Sequence, residues 1–172
     1  MTSKLKTDIL ETVSGSGTIA LTNQLSGMTS ASVPSGSVLQ VLGIKTLDTT
    51  TTTSNTYVNT GITLAITPSS TSSKILVNVN CAGCGTSGHA NAHMGLKIFR
   101  DSTDIIKFEG QGGYNAVAGE DSGGYSCSYL DSPSSTSAVT YMVKLANVGN
   151  LGTCRLGHSA SVSTITLMEI KG

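Results

Sequence analysis

The sequence predicts an all-β protein, an antiparallel β-sandwich of jelly-roll type, and three observations carry that prediction. Apolar and polar residues alternate in short runs, as from Ala138 to Ala146, where Val139, Tyr141, Val143 and Leu145 share one face and Thr140, Met142, Lys144 and Ala146 the other. That is the period of a half-buried strand. Turn residues separate the runs at fairly regular intervals, as they do in sandwiches. No stretch carries apolar residues at the period of a long amphipathic helix.

The chain divides into residues 1–36 and a globular part, residues 37–172. Met1 to Val13 mixes charge with aliphatics. Leu5, Ile9 and Val13 would line one face of a helix, while Leu5, Thr7 and Ile9 equally fit a strand. Either element is too short to stand alone and needs a partner surface. Ser14 to Ser37 is punctuated by Gly15, Gly17, Gly27, Pro34 and Gly36. It reads as a flexible linker or as a stalk in which several copies wind together. The stalk is preferred, because Ile19, Leu21, Leu25 and Met28 would otherwise lie exposed.

Nine strands are expected in the globular part: 37–47, 55–67, 74–81, 94–100, 103–109, 124–130, 138–146, 153–156 and 163–170, a number that suits a jelly roll. Ile62, Leu64 and Ile66 face one way, as do Ile75, Val77, Val79 and Cys81. Asp101-Ser102 makes a tight hairpin. Thr49 to Thr53 has strand propensity without an apolar face and is read as an exposed connection. Ala82 to Ala92 and Gly110 to Gly123 are read as long Gly-rich loops. The final run, 163–170, is expected to be tied into a sheet.

Composition limits the function classes. The 172 residues suit one domain, 38% of them apolar, and charged residues make up 12%, against about 25% in ordinary soluble domains. Ten basic and ten acidic side chains cancel. No basic cluster appears, so nucleic-acid binding is not expected. No apolar run is long enough to span a membrane, and no secretory signal is recognised.

Cys81-Ala-Gly-Cys84 followed by His89 and His93 has the residue types of a tetrahedral zinc site. Against it, Cys81 shares the parity of Val77 and Val79 and so reads as a core residue. No metal and no cofactor are expected, and the four cysteines are expected as free thiols. The acids that could serve hydrolysis are Glu109, Glu120 and Asp121, the last two adjacent in a loop, which is the habit of solvated turn residues. No nucleophile elbow occurs. A non-enzymatic protein is expected. Loops on a rigid sandwich are where recognition sits. Tyr114 and Asn115 in one Gly-rich loop, and His89 and Asn91 in the other, are the candidate binding residues, able to stack on a glycan and hydrogen-bond it.

Three segments carry a resemblance: Ser3 to Leu10 with Gly15 to Met28, then Val38 to Leu42 with Thr56 to Ile62 and Ile66 to Val77, and finally Tyr129-Leu-Asp-Ser-Pro133, Val139-Thr-Tyr141 and Ile165-Thr-Leu-Met-Glu-Ile170. They are similar to bacteriophage virion proteins of the tail-fibre and head-fibre type, common in phages of aquatic and cyanobacterial hosts. The resemblance covers nearly the whole chain and departs most between Ala82 and Ser126. It implies a homotrimeric appendage located on the virion, for which release by lysis would be the route out of a cell in place of a secretory signal. Its N-terminal segment, with Leu5, Ile9 and Leu10, would attach to other virion proteins of the tail, baseplate or capsid, and its knob would touch a host cell-surface glycan or protein. A capsid decoration protein and a polysaccharide depolymerase are the alternatives.

Overall fold

A computed structural model describes residues 33–114, 116, 118 and 120–172, the side chain of Asp121 excepted. Leu5, Ile9, Leu10, the expected stalk and Asn115 therefore lie outside the described residues. Ten strands follow in order: β1 (Val38–Thr46), β2 (Thr50–Thr52), β3 (Val58–Ile66), β4 (Lys74–Ser87), β5 (Met94–Arg100), β6 (Thr103–Gly112), β7 (Asp121–Asp131), β8 (Val139–Asn147), β9 (Thr153–Leu156) and β10 (Ser163–Ile170). They form two antiparallel sheets. The larger joins β1, β10, β4, β9 and β2, with β7 on the other edge of β4, and the smaller runs β3, β8, β5, β6.

The pairings are nested. β5 pairs with β6, β4 with β7, β3 with β8 and β1 with β10, each pair enclosing the one before along the chain. A long antiparallel hairpin rolled into two facing sheets has this order, which is the jelly roll. Alternation puts Ile75, Val77, Val79, Ile165 and Leu167 of one sheet against Ile62, Ile66, Leu96, Ile98, Val143 and Leu145 of the other. All of these are at most 4% exposed.

Three expectations need correction, one of them the second Gly-rich loop, which is shortened at both ends because β6 runs on to Gly112 and β7 begins at Asp121. Thr50–Thr52 is a strand, not a free connection, because β9 supplies the partner that a polar tract needs, pairing Thr51 with Arg155. β4 also runs on past Cys81 to Ser87, shortening the first Gly-rich loop. Its far half is paired with β7 on one edge and β9 on the other. Two pairing edges hold the strand despite its glycines.

Buried polar groups fasten the end of the sandwich where the chain enters. Gly36 N donates to the Lys171 carbonyl at 2.8 Å. Beside it the Glu169 carboxylate, 1% exposed, accepts from Ser69, Ser73 and Gln40. Asp131 at the end of β7 accepts from Arg100 at 2.6 Å and from the Tyr141 hydroxyl at 2.7 Å, joining the two sheets. Tyr141 is thus wholly buried, and burial together with the Asp131 carboxylate raises its pKa.

Candidate functional site

The opposite end of the sandwich is built where parts of three connections converge: residues 88–93 between β4 and β5, Gly113, Tyr114 and Glu120 of the connection between β6 and β7, and residues 148–152 between β8 and β9. β4 reaches this end only because it crosses an irregularity between Cys81 and Cys84 and resumes pairing at Cys84. Strands rise about 3.3 Å per residue, so its 14 residues place these connections roughly 40 Å from the strand's start.

Close backbone approach locks the three connections together. Thr86 Oγ1 donates to the Gly113 carbonyl at 2.7 Å. A Cβ on Gly152, which has φ +64°, would lie 2.3 Å from the Ser87 carbonyl oxygen, and one on Gly149 would lie 2.7 Å from His93 Nδ1. Gly152 requires glycine, and a side chain at Gly149 would displace the His93 ring. The buried Asn147 amide donates to the Leu151 and Gly152 carbonyls, each at 3.0 Å, which curls the connection back on itself. Arg155 grips Glu120 through both terminal nitrogens at 3.2 Å, and that hydrogen bonding holds the Glu120 carboxyl below its ordinary pKa.

On this frame sit His89, Asn91, His93 and Tyr114. Asn91 takes φ +67°, a left-handed conformation that asparagine tolerates. His93 Nδ1 lies 2.9 Å from the Asn91 carbonyl oxygen. A carbonyl only accepts, so Nδ1 carries the proton and Nε2 of the neutral ring is the acceptor. His89 Nδ1 bonds the Ala90 carbonyl in the same manner. The Tyr114 ring meets His93 edge-on with centroids 5.9 Å apart, and the tyrosine remains 52% exposed. Val148 and Leu151 are exposed on the neighbouring connection.

Three of the four candidate binding residues, His89, Asn91 and Tyr114, therefore belong to one end of the molecule. His93 joins them as the ring that Tyr114 packs against, a role no spacing announced. The glycines in Asn147-Val-Gly-Asn-Leu-Gly152 marked a turn, but nothing in the sequence said which loops that turn would meet. An exposed aromatic face beside amides and imidazoles can stack on a flat partner and hydrogen-bond its edge.

The cysteine–histidine quartet does not come together. Cys81 and Cys84 point into the core, 0% and 1% exposed, whereas His89 is exposed at the end. Among the described residues no group of three or more His, Cys, Asp or Glu is placed to hold a metal ion. Burial pushes the Cys84 thiol up to about 12 and Cys81 higher still, the reverse of what a thiolate ligand needs. Two of the three candidate acids are likewise engaged: Glu109 accepts from the Gly110 and Gln111 backbone N–H groups at 2.7 and 2.8 Å, and Glu120 is held by Arg155. Compared with known proteins, the chain matches no family model and no curated sequence.

Proposed function

We propose that this chain is a non-enzymatic phage virion protein, a short trimeric fibre whose jelly-roll knob adsorbs to a host cell-surface glycan or protein. The observation that supports it best is the polarity of the knob. The chain enters beside Lys171 at one end, and the exposed Tyr114, Asn91 and His89 gather at the other. A protein held by residues 1–36 to a particle would thus present its recognition loops outward. A low-charge surface rich in Ser and Thr suits reversible contact, and three copies acting together raise weak affinity by about 100-fold or more where geometry permits.

Binding of the fluorescently labelled protein to a panel of bacteria and to their purified surface polysaccharides tests the reading. Tyr114→Ala is expected to weaken binding at least tenfold with an unchanged melting temperature. Binding indifferent to Tyr114, His89 and Asn91 would remove this end from the site, and release of reducing sugar by the wild type would replace adhesion with depolymerisation.

A further inference from the structure

Cross-strand register sets Val41 of β1 opposite Met168 of β10, Met168 opposite Leu76 of β4, and Leu76 opposite Leu130 of β7. Directly opposed residues share a face. Ile75 and Val77, which flank Leu76, are 0% exposed, so Leu76 and the whole row point out of the sandwich. Val38 and Ile170, also opposed, extend the row into a patch. Val38, Val41 and Leu130 are 52%, 55% and 48% exposed. The next row across the sheet, Gly43, Thr166, Asn78 and Ser128, carries no charge. Among the described side chains of β1, β10, β4 and β7, Lys45 and Lys74 are the charged groups on outward positions, one toward each end, and Arg155 of β9 lies outward at the far end of the same sheet.

The outer face of the smaller sheet is built differently. There Lys144 Nζ lies 4.2 Å over the Phe99 ring and Lys97 Nζ 4.6 Å over the ring of Tyr57. Lysines lay their stems over apolar surface and keep their charge in water, which leaves that face solvated.

We propose that the outer face of the larger sheet, centred on the row Val41, Met168, Leu76 and Leu130, is where a second copy of this chain packs. Charge favours a copy over residues 1–13, and the uncharged residues 14–32 are those that the stalk reading already occupies. Lys4, Lys6, Asp8 and Glu11 fall within the first thirteen residues, and laying them on an uncharged patch would desolvate charge without pairing it, whereas a second uncharged patch is its natural complement. The place where the described chain begins agrees. Ser35 Oγ donates to the Gly172 carbonyl at 3.2 Å, at the end of the face that holds Val38 and Ile170. Copies joined there would bring their Ser35 and Gly36 residues to one end of the assembly, the arrangement that the stalk reading asks for. The inference rests on the trimeric reading above for the number of copies and for the stalk that takes up residues 14–32.

Sedimentation velocity of the full-length chain, with hydroxyl-radical footprinting of Met168, tests it. The wild type should sediment at three times the 17.5 kDa chain mass with Met168 protected. Leu76→Glu should sediment as one chain at the same concentration with its strand circular dichroism retained, and Val41→Glu, on an edge strand, should do the same if Leu76→Glu folds poorly. Ala65→Glu, on the smaller sheet, should stay assembled. Assembly that survives Leu76→Glu and Val41→Glu would overturn the face while leaving the trimer standing. A wild-type monomer with Met168 readily oxidised would overturn both, and a monomer with Met168 protected would assign the patch to the chain's own N-terminal residues.

Discussion

Replacing Glu169 should loosen the end of the knob where the chain enters, and the structure says by how much. Oε1 accepts from Ser69 N at 2.7 Å, Ser69 Oγ at 2.7 Å and Ser73 Oγ at 2.6 Å, while Oε2 accepts from Gln40 Nε2 at 2.6 Å. Hydrogen bonds to charged groups contribute about 1.5–3 kcal/mol each. The Ser69 hydroxyl and Gln40 can turn toward water when the acceptor is lost, since Ser69 is exposed and Gln40 only half-buried. The cost then falls on the Ser69 N–H and on Ser73, which is 1% exposed. Glu169→Ala should cost about 3–4 kcal/mol, or roughly 10–15 °C of melting temperature for a domain of this size. Glu169→Gln keeps the shape but loses the charge and should cost about half as much. Burial alone would raise the Glu169 pKa, but hydrogen bonds from Ser73, Ser69 and Gln40 outweigh it and the folded value lies below the ordinary one. The unfolded chain therefore holds the proton more tightly. The stabilisation is complete above the unfolded value, about 4.3, and is lost as pH falls through the folded one. Differential scanning calorimetry of wild type and Glu169→Gln between pH 3 and 7 should show their difference shrinking toward acid. A difference that is absent at pH 7, or that grows toward acid, would refute the network.

Other outcomes follow from the same buried groups. Tyr141→Phe removes one hydrogen bond to the Asp131 carboxylate but leaves Arg100 in place, so urea denaturation should show a loss of about 1.5–2 kcal/mol. Asp131→Ala should cost more, about 3 kcal/mol, because it strands both the Arg100 guanidinium and the buried hydroxyl; equal costs would mean that Tyr141 and not Asp131 is the hub. A thiol reagent at pH 8 should modify at most one of the four cysteines per native chain within minutes, the half-buried Cys127, and all four after denaturation. Rapid native modification of Cys84, whose thiol burial raises to about 12, would contradict its place in the core.

Period-2 alternation was enough to identify most of the fold. Met94–Arg100, Thr153–Leu156 and Ser163–Ile170 are strands with the predicted bounds, and Ile75, Val77, Val79 and Cys81 face the core as a set. Alternation failed where a partner and not the strand itself supplies the stability. Thr50–Thr52 has no apolar face to read and is a strand because β9 lies beside it. Residues 82–87 contain Gly83 and Gly85, which argue locally for a loop, yet Gly85 pairs with Ser122 on one side and Arg155 on the other. Hydrogen-bonding partners on both edges outweigh the entropy that glycine loses in a strand.

The two surfaces proposed for binding and assembly were hidden for a related reason. Tyr114 and His93 are 21 positions apart, and their ring contact exists because Thr86 binds Gly113 while Gly149 admits the His93 ring, details fixed by how three connections close on one another. Nor is the row Val41, Met168, Leu76 and Leu130 a pattern in any one strand: each strand contributes one residue to the row, at a position that alternation assigns to solvent. Only register turns four such residues into a contiguous patch, and a one-residue slip of β10 would send Met168 into the core and break it. The same register that seats Glu169 among its serines sets Met168 in the outward row, because the two are adjacent on β10. A variant that shifts β10 should therefore lose acid-sensitive stability and assembly together, whereas Leu76→Glu should lose assembly alone.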